Sequence, residues 1–301
     1  MELRTLHYFL TVAREQSISA AAESLHISQP ALSTQMKAME EELGKQLLIR
    51  GTKGSRRVVL TDEGMILRRR AEEILSLVQK AEEEIAHSDE TIVGDVVIGA
   101  GETDNIRLLA RVAKGLQKQY PDIHYHITSG NAEYVLEYLD KGLIDFGLLF
   151  REPSQKKYEW LTLPAGDIWG VLMRRDAPLA GHTAVYPEDL WELPLIISHQ
   201  KGDDRRLAQW MGREIAELNV VATYNLVFNA SLLVDEGLGY ALCFDKLIHT
   251  EGTSLFRPFS PLLQASGYIV WKKYQIFSKA AGRFLQSVRE MLSDETHGLP
   301  Y

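Results

Sequence analysis

The spacing of apolar positions changes character along this chain, and each change marks a structural boundary. Leu6, Phe9, Leu10 and Ala13 fall at i, i+3, i+4 and i+7, the stripe of an amphipathic helix. Ile18, Ala21, Ala22 and Leu25 predict a second helix, with Ser17 or Ser19 available as its N-cap. In a third, Leu32, Met36, Met39 and Leu43 face inward. Ser28 supplies its cap, and Pro30, with no N–H to lose, sits in the first turn. "LLIR" and "VVLT" then flank a basic, glycine-containing turn and predict a two-stranded hairpin. From Thr61 onward Leu67, Ala71, Ile74, Val78, Ala81 and Ile85 are spaced 4, 3, 4, 3, 4, a heptad seam through which a longer helix would pair with a second copy.

Past Ile92 short apolar runs alternate with amphipathic ones. "DVVIG", "HYHIT", "DFGLLF", "IWGVLM", "LPLIIS", "VVATY", "YALCF" and "GYIVW" read as strands. Helices are predicted over 105–120, ended by Pro121, over 132–141, closed by Gly142, and over 207–218, 229–236 and 278–293. This alternation predicts α/β layers with largely parallel sheets. In such sheets a ligand crevice lies beyond the strand C-termini, where helix N-termini favour an anion or a carboxylate. The residues at those places are Gly101, Thr103, Ser129, Gly130, Asn131, Ser198, His199 and Asn229. All are also ordinary turn and cap residues, so their types alone leave a structural role open.

The third helix carries an unusual outer face. Gln29, Pro30, Ser33, Thr34 and Lys37 lie opposite its apolar stripe, giving amides and hydroxyls where a solvated helix usually carries charges. Two helices joined by a short turn, the second entered through a cap, match the helix-turn-helix, whose second helix places its first residues against base edges. An amide can bond adenine N6 and N7 together, and hydroxyls both donate and accept, so these side chains can tell bases apart.

Charge sharpens this picture. The formal net charge is -8, yet residues 1–60 hold eight Lys and Arg against six Asp and Glu, and residues 61–90 hold four against nine. Lys45 to Arg57 carries five basic residues and no acid, and Arg50, Lys53, Arg56 and Arg57 are placed to meet phosphate or minor groove. The single cysteine, Cys243, rules out an internal disulfide and fits a reducing cytoplasm. No apolar run approaches the roughly 18 residues of a membrane span, and the first residues lack a signal-peptide core. Both features predict a cytoplasmic protein.

The segment "LHYFLTVAREQSISAAAESLHISQPALSTQMKAMEEELGKQLLIR" followed by "VVLTDEG" closely resembles the N-terminal domain of LysR-type transcriptional regulators. "GDVVIGAGET", "YPDI", "LDKGLIDFGLL", "DAPLAG" and "LLVDEGLGYAL" resemble the effector domain of the same family, which is similar to periplasmic binding proteins. Two departures stand out: the wing between Arg50 and Val58 is longer than the family's usual one, and "CFD" replaces the proline that often follows "GLGYAL". The resemblance implies a winged helix-turn-helix over residues 1–62, a dimerising linker helix over 63–90 and an effector-binding α/β domain over 91–301. That domain would divide into one subdomain of about 91–164 with 266–301 and another of about 165–265. The implied partners are operator or promoter DNA, a small-molecule effector, a second copy or a tetramer, and RNA polymerase for an activator, with no membrane.

Rival chemistries are poorly supported. "GAGETD" places Asp104 where a dinucleotide loop needs its third glycine, and an acid there repels pyrophosphate. His124 and His126 share a strand face without a third ligand nearby. No GxSxG, P-loop or HExxH occurs, so neither an enzyme nor a cofactor is expected. The alternative is an enzyme or solute-binding protein on a binding-protein-like fold, with the N-terminal helices as a protein-docking module.

Overall fold

In the computed structural model the chain opens with α1 (Leu3–Glu15), α2 (Ile18–Ser24) and α3 (Gln29–Leu43), followed by a hairpin of β1 (Leu48–Arg50) and β2 (Val58–Leu60) and by α4 (Asp62–Ala86). The structure describes residues 1–51, 57–86, 92–199, 203–250 and 252–297. It divides into two units, Met1–Asp89 and Glu90–Tyr301.

The first unit is built around Leu6, Phe9, Val12, Ala21, Ala22, Leu32, Met36 and Met39. Its α1 stripe is rotated from the predicted one: Val12 is buried and Leu10 and Ala13 are only half-buried. Thr5 and Thr11 are buried as well, and Thr11 can afford it because its hydroxyl donates to the His7 carbonyl at 2.9 Å. Ser17 and Ser28 cap α2 and α3, each accepting from the N–H three residues on at 3.3 Å. Leu43, expected inside, is 41% exposed. It is the last residue of α3 before Gly44, which turns into the left-handed region at φ 63 and ends the helix.

A dense set of contacts fixes the hairpin against α4. The Glu40 carboxylate accepts from the backbone N–H groups of Leu47 and Leu48 at 2.8 and 2.9 Å. The Thr61 hydroxyl donates to the Gln46 carbonyl at 2.8 Å and accepts from the Gly64 N–H at 3.0 Å, which caps α4. A Cβ on Gly64 would stand 2.3 Å from the Leu47 carbonyl oxygen, so only glycine lets α4 start this close to β1.

The second unit begins with β3 (Gly94–Ala100), α5 (Ile106–Gln119), β4 (Ile123–Ser129), α6 (Ala132–Lys141) and β5 (Phe146–Leu149). There follow β6 (Tyr158–Thr162), β7 (Asp167–Arg174), a short α7 (Pro187–Leu190), β8 (Leu195–Ser198), α8 (Asp203–Met211), β9 (Val220–Tyr224), α9 (Val227–Asp235) and β10 (Tyr240–Phe244). It closes with β11 (Ser254–Pro258), β12 (Gln264–Ala265), β13 (Tyr268–Lys272) and α10 (Lys279–His297). One sheet runs β4-β3-β5-β13-β6; the other runs β11-β7-β10-β8-β9, with β12 added to β7. The chain crosses between them after β6 and returns before β13.

Both sheets are mixed, where largely parallel ones were expected. Parallel pairing is confined to β4-β3-β5 and to β10-β8-β9, and the other pairings are antiparallel. Three strands escaped the sequence: β6 ("YEWLT"), β11 ("SLFRP") and β12 ("QA"). The first two are sheet edges, where polar side chains and a terminal proline are tolerated and no continuous apolar run is required. The helix expected over 207–218 stops at Met211, because Gly212 adopts φ 65; a 3-10 turn, Ile215–Glu217, follows. In turn α9 starts two residues ahead of the predicted Asn229.

Leu108, Leu109, Val112 and Leu116 of α5 and Ala280, Ala281, Phe284 and Val288 of α10 cover one face of the first sheet, against Val96, Ile98, Phe146 and Ile269. Val135 and Leu139 of α6 cover the other with Val270 and Leu149. The second sheet is enclosed in the same way, with Leu207 and Met211 of α8 on one face and Val227, Ala230 and Val234 of α9 on the other.

Candidate nucleic-acid interface and ligand cleft

The outward face of α3 is as uncommitted as its sequence suggests. Gln29, Pro30, Thr34 and Lys37 are exposed and Ser33 is half-buried. The Thr34 hydroxyl donates back to the Pro30 carbonyl at 2.9 Å. The side chains of Gln29, Ser33 and Lys37 have no hydrogen bond or ion pair with the described residues. Beyond Lys37 this face turns acidic at Glu41, so attraction for phosphate is confined to the first turns of the helix.

Of the four basic wing residues, Lys53, Arg56 and the side chain of Arg50 lie outside the described residues. Arg57 is exposed and held: its Nε donates to the Gln16 side-chain oxygen at 3.1 Å. Gln16 itself ends α1 in the left-handed region, at φ 50, and its carbonyl accepts the Val58 N–H at 2.8 Å. The wing is therefore docked on the end of α1, and Arg57 is presented from a fixed base.

The heptad seam of α4 is split between two environments. Ala71 is fully buried in the core of its own unit, and Leu67 and Ile74 pack half-buried against that core together with Leu75. Ala71 is thus withdrawn from any contact with a second copy, against the expectation for the whole seam. Further along, Val78 is half-buried, Ala81 is exposed and Ile85 is 74% exposed. Ile66 and Leu77, which the heptad reading left out, are also exposed at 59% and 39%.

In the second unit the strand order defines where a ligand fits. β3 lies between β4 and β5, so the chain leaves β3 toward one side and returns on the other; β8 lies likewise between β9 and β10. The loops after β3 and β8 are the two topological switch points, and they hold Gly101 and Thr103 in one lobe and Ser198 and His199 in the other. The sequence found the right places.

Several of the side chains, however, point into the protein. Thr103 is 5% exposed, and its hydroxyl donates to Asp167 Oδ2 at 2.7 Å while accepting the Asn105 N–H at 3.0 Å. Asn105 Nδ2 donates to the same Asp167 oxygen at 2.8 Å, and the Asp104 N–H donates to the other at 3.3 Å. Thr103 is therefore a pin of the crossover, not an open ligand contact. Burial pushes the Asp167 carboxyl above its ordinary range, against the pull of these three bonds.

Asn131 caps α6, its Oδ1 accepting the Tyr134 N–H at 2.9 Å. Gly101 and Gly130 make room for aromatic rings, since a Cβ would stand 2.8 Å from Phe150 and 2.3 Å from Tyr134. Ser198 is buried, and His199 is exposed with its Nδ1 3.0 Å from the Tyr224 carbonyl. Ser129 and Asn229 are exposed on opposite lobes.

Three features of this region had no signal in the sequence reading. Glu102 reaches across the cleft, and its carboxylate accepts the Val227 N–H at the start of α9; burial raises its carboxyl above the ordinary range. Phe150 of one lobe meets Phe244 of the other edge-on at 4.9 Å, and Trp169 packs on Phe244 at 4.5 Å. A cavity of about 500 Å³ lies at the crossover, lined in part by Asp104, Arg107, Arg111, Asp167, Asp245 and Lys246. None of the eight predicted cleft residues lines it.

The rival sites find no assembly. His124 and His126 are exposed on β4, and His126 Nε2 sits 3.3 Å from Asp95 Oδ2. Among the described residues no three potential metal ligands converge. Cys243 is buried and its thiol is pushed up to about 12, which makes it inert. Among the described residues no helix is long and apolar enough to cross a membrane.

A winged helix-turn-helix with an uncommitted polar reading face, joined to a two-lobed α/β unit with paired switch points, is the plan of a DNA-binding regulator that carries its own ligand domain. Residues 3–65 match the profile of the bacterial regulatory helix-turn-helix proteins of the lysR family, and residues 90–293 match the LysR substrate binding domain. The chain belongs to the LysR family of DNA-binding transcriptional regulators. It is similar to the HTH-type transcriptional regulator YybE of Bacillus subtilis, 27% identical over 297 residues, 98% of this chain and 100% of that protein. It is also similar to YvbU of the same organism, 27% identical over 242 residues, 80% of this chain and 81% of that protein. In fold it resembles full-length CbnR in complex with its target DNA, with a TM-score of 0.77 at 22% identity, covering 96% of this chain and 99% of that one.

Proposed function

We propose that the chain works as a cytoplasmic homodimer or homotetramer. It reads operator DNA with Gln29, Ser33, Thr34 and Lys37 of α3, anchors through the wing, and changes its promoter output when a small molecule enters the cleft between the two lobes. The observation that carries this reading is the face of α3, where a capped helix presents an amide, a hydroxyl and one lysine that the rest of the fold does not use. For an activator, RNA polymerase is the further partner. Catalysis and a cofactor play no part in this reading, and the single buried cysteine removes sensing by an internal disulfide.

Dimerisation is assigned to the far half of α4, where Leu77, Val78, Ala81 and Ile85 continue past the core of their own unit. Charges in that stripe should oppose pairing, so Val78→Asp with Ile85→Asp should give monomers by sedimentation while the first unit still folds. A variant that stays oligomeric would move the interface to another surface.

The experiment for the whole reading is a gel shift of the full-length protein on the intergenic DNA upstream of its own gene, with a metabolite panel added. Sequence-specific retardation altered by one metabolite is the expected result. Binding that ignores both sequence and salt would favour the protein-docking alternative.

A further inference from the structure

The two lobes are built on the same plan, and this makes one difference between them informative. α6 and α9 occupy equivalent places, each leading from an edge strand to the far side of its central strand. α6 is capped from within, by Asn131 immediately before it. α9 is preceded by Leu226, whose side chain has no oxygen and makes no capping bond. Its first N–H, on Val227, is instead met by the carboxylate of Glu102, which lies 125 residues earlier in the chain, on the switch-point loop of the opposite lobe. A carboxylate at this position satisfies an orphan donor and faces the positive end of the helix dipole.

We propose that Glu102 is an inter-lobe latch: α9 borrows its N-terminal anion from the other lobe, so the bond exists only while the lobes are closed on each other. The same loop carries Gly101 against Phe150, which meets Phe244 of the second lobe, and Thr103 and Asn105 on Asp167 at the crossover. Release of Glu102 therefore frees the one cross-lobe hydrogen bond, among those described here, that reaches a helix rather than the crossover. Anything entering the cleft beside α9 must compete with this carboxylate. The latch stands on geometry alone and holds whatever ligand the cleft takes.

The test uses the full-length protein and a double-mutant cycle. Glu102→Ala removes the acceptor. Val227→Pro removes the donor at the first helical position, where proline is tolerated, and Leu226 already has the extended backbone that a following proline requires, at φ -126 and ψ 129. Glu102→Ala should raise the unfolding equilibrium constant of the second unit about fivefold, the usual effect of losing a cap, and should have no effect once Val227→Pro is present. Equal effects in both backgrounds would overturn the proposal.

Hydrogen exchange of Glu102→Ala keeps the question open to refutation if Val227→Pro does not fold. Exchange should accelerate at residues 227–230, and unchanged exchange there would overturn the proposal too. The latch further predicts that Glu102→Ala speeds elastase cleavage at the exposed Ala165 of the crossover. An unaltered cleavage rate would reduce Glu102 to a cap without a latch.

Discussion

The reading face of α3 and the rim of the cleft carry the same residue types, yet the fold treats them differently. On α3 the polar side chains stand outside a helix whose cap, Ser28, lies just before them, so Gln29, Ser33 and Lys37 are left over for a partner. In the cleft the polar residues are themselves the caps and pins: Asn131 holds α6 and Thr103 holds Asp167. A hydroxyl or amide one turn inside a helix, on the face away from the core, is free to recognise; the same group at the junction of strand and helix is first claimed by the backbone.

Substitutions can break this contrast. Gly64→Ala should cost the first unit about 1–3 kcal/mol or more, because the added carbon meets a backbone oxygen that cannot turn aside; urea unfolding would measure it. Thr103→Val, nearly equal in volume, should cost the second unit about 1–3 kcal/mol by leaving the buried Asp167 short of a donor, with operator reading intact. Lost effector response at unchanged melting temperature would return Thr103 to the ligand. Asn131→Ala should cost roughly 1 kcal/mol as the loss of an N-cap, seen as a lower melting temperature. The smallest effect belongs to the wing. Arg57→Gln removes at most one phosphate contact per subunit, so the slope of log K against log salt should become shallower by about 0.9, and an unchanged slope would assign Arg57 to Gln16 alone.

Where the sequence was legible, one local rule decided the outcome. Ser28, Pro30 and the 4, 3 spacing of Leu32, Met36 and Met39 fix α3 without help from elsewhere. The placement of Gly101, Thr103, Ser198 and His199 at switch points followed from strand–helix alternation. The misses came from long-range partners. Nothing near Glu102 announces Val227, and nothing near Thr103 announces Asp167. Likewise the seam of α4 reads as one uniform stripe, and only the three helices packed beside it show that Ala71 is spent inside.

The central claim is that α3 reads bases through Gln29, and affinity of Gln29→Ala for a panel of single-base operator variants at fixed salt tests it most directly. The account predicts that the variant loses its preference at one base pair per half-site and discriminates normally at all others, with the melting temperature unchanged. A uniform loss of affinity across the panel, with every base preference retained, would contradict it and make Gln29 a backbone contact.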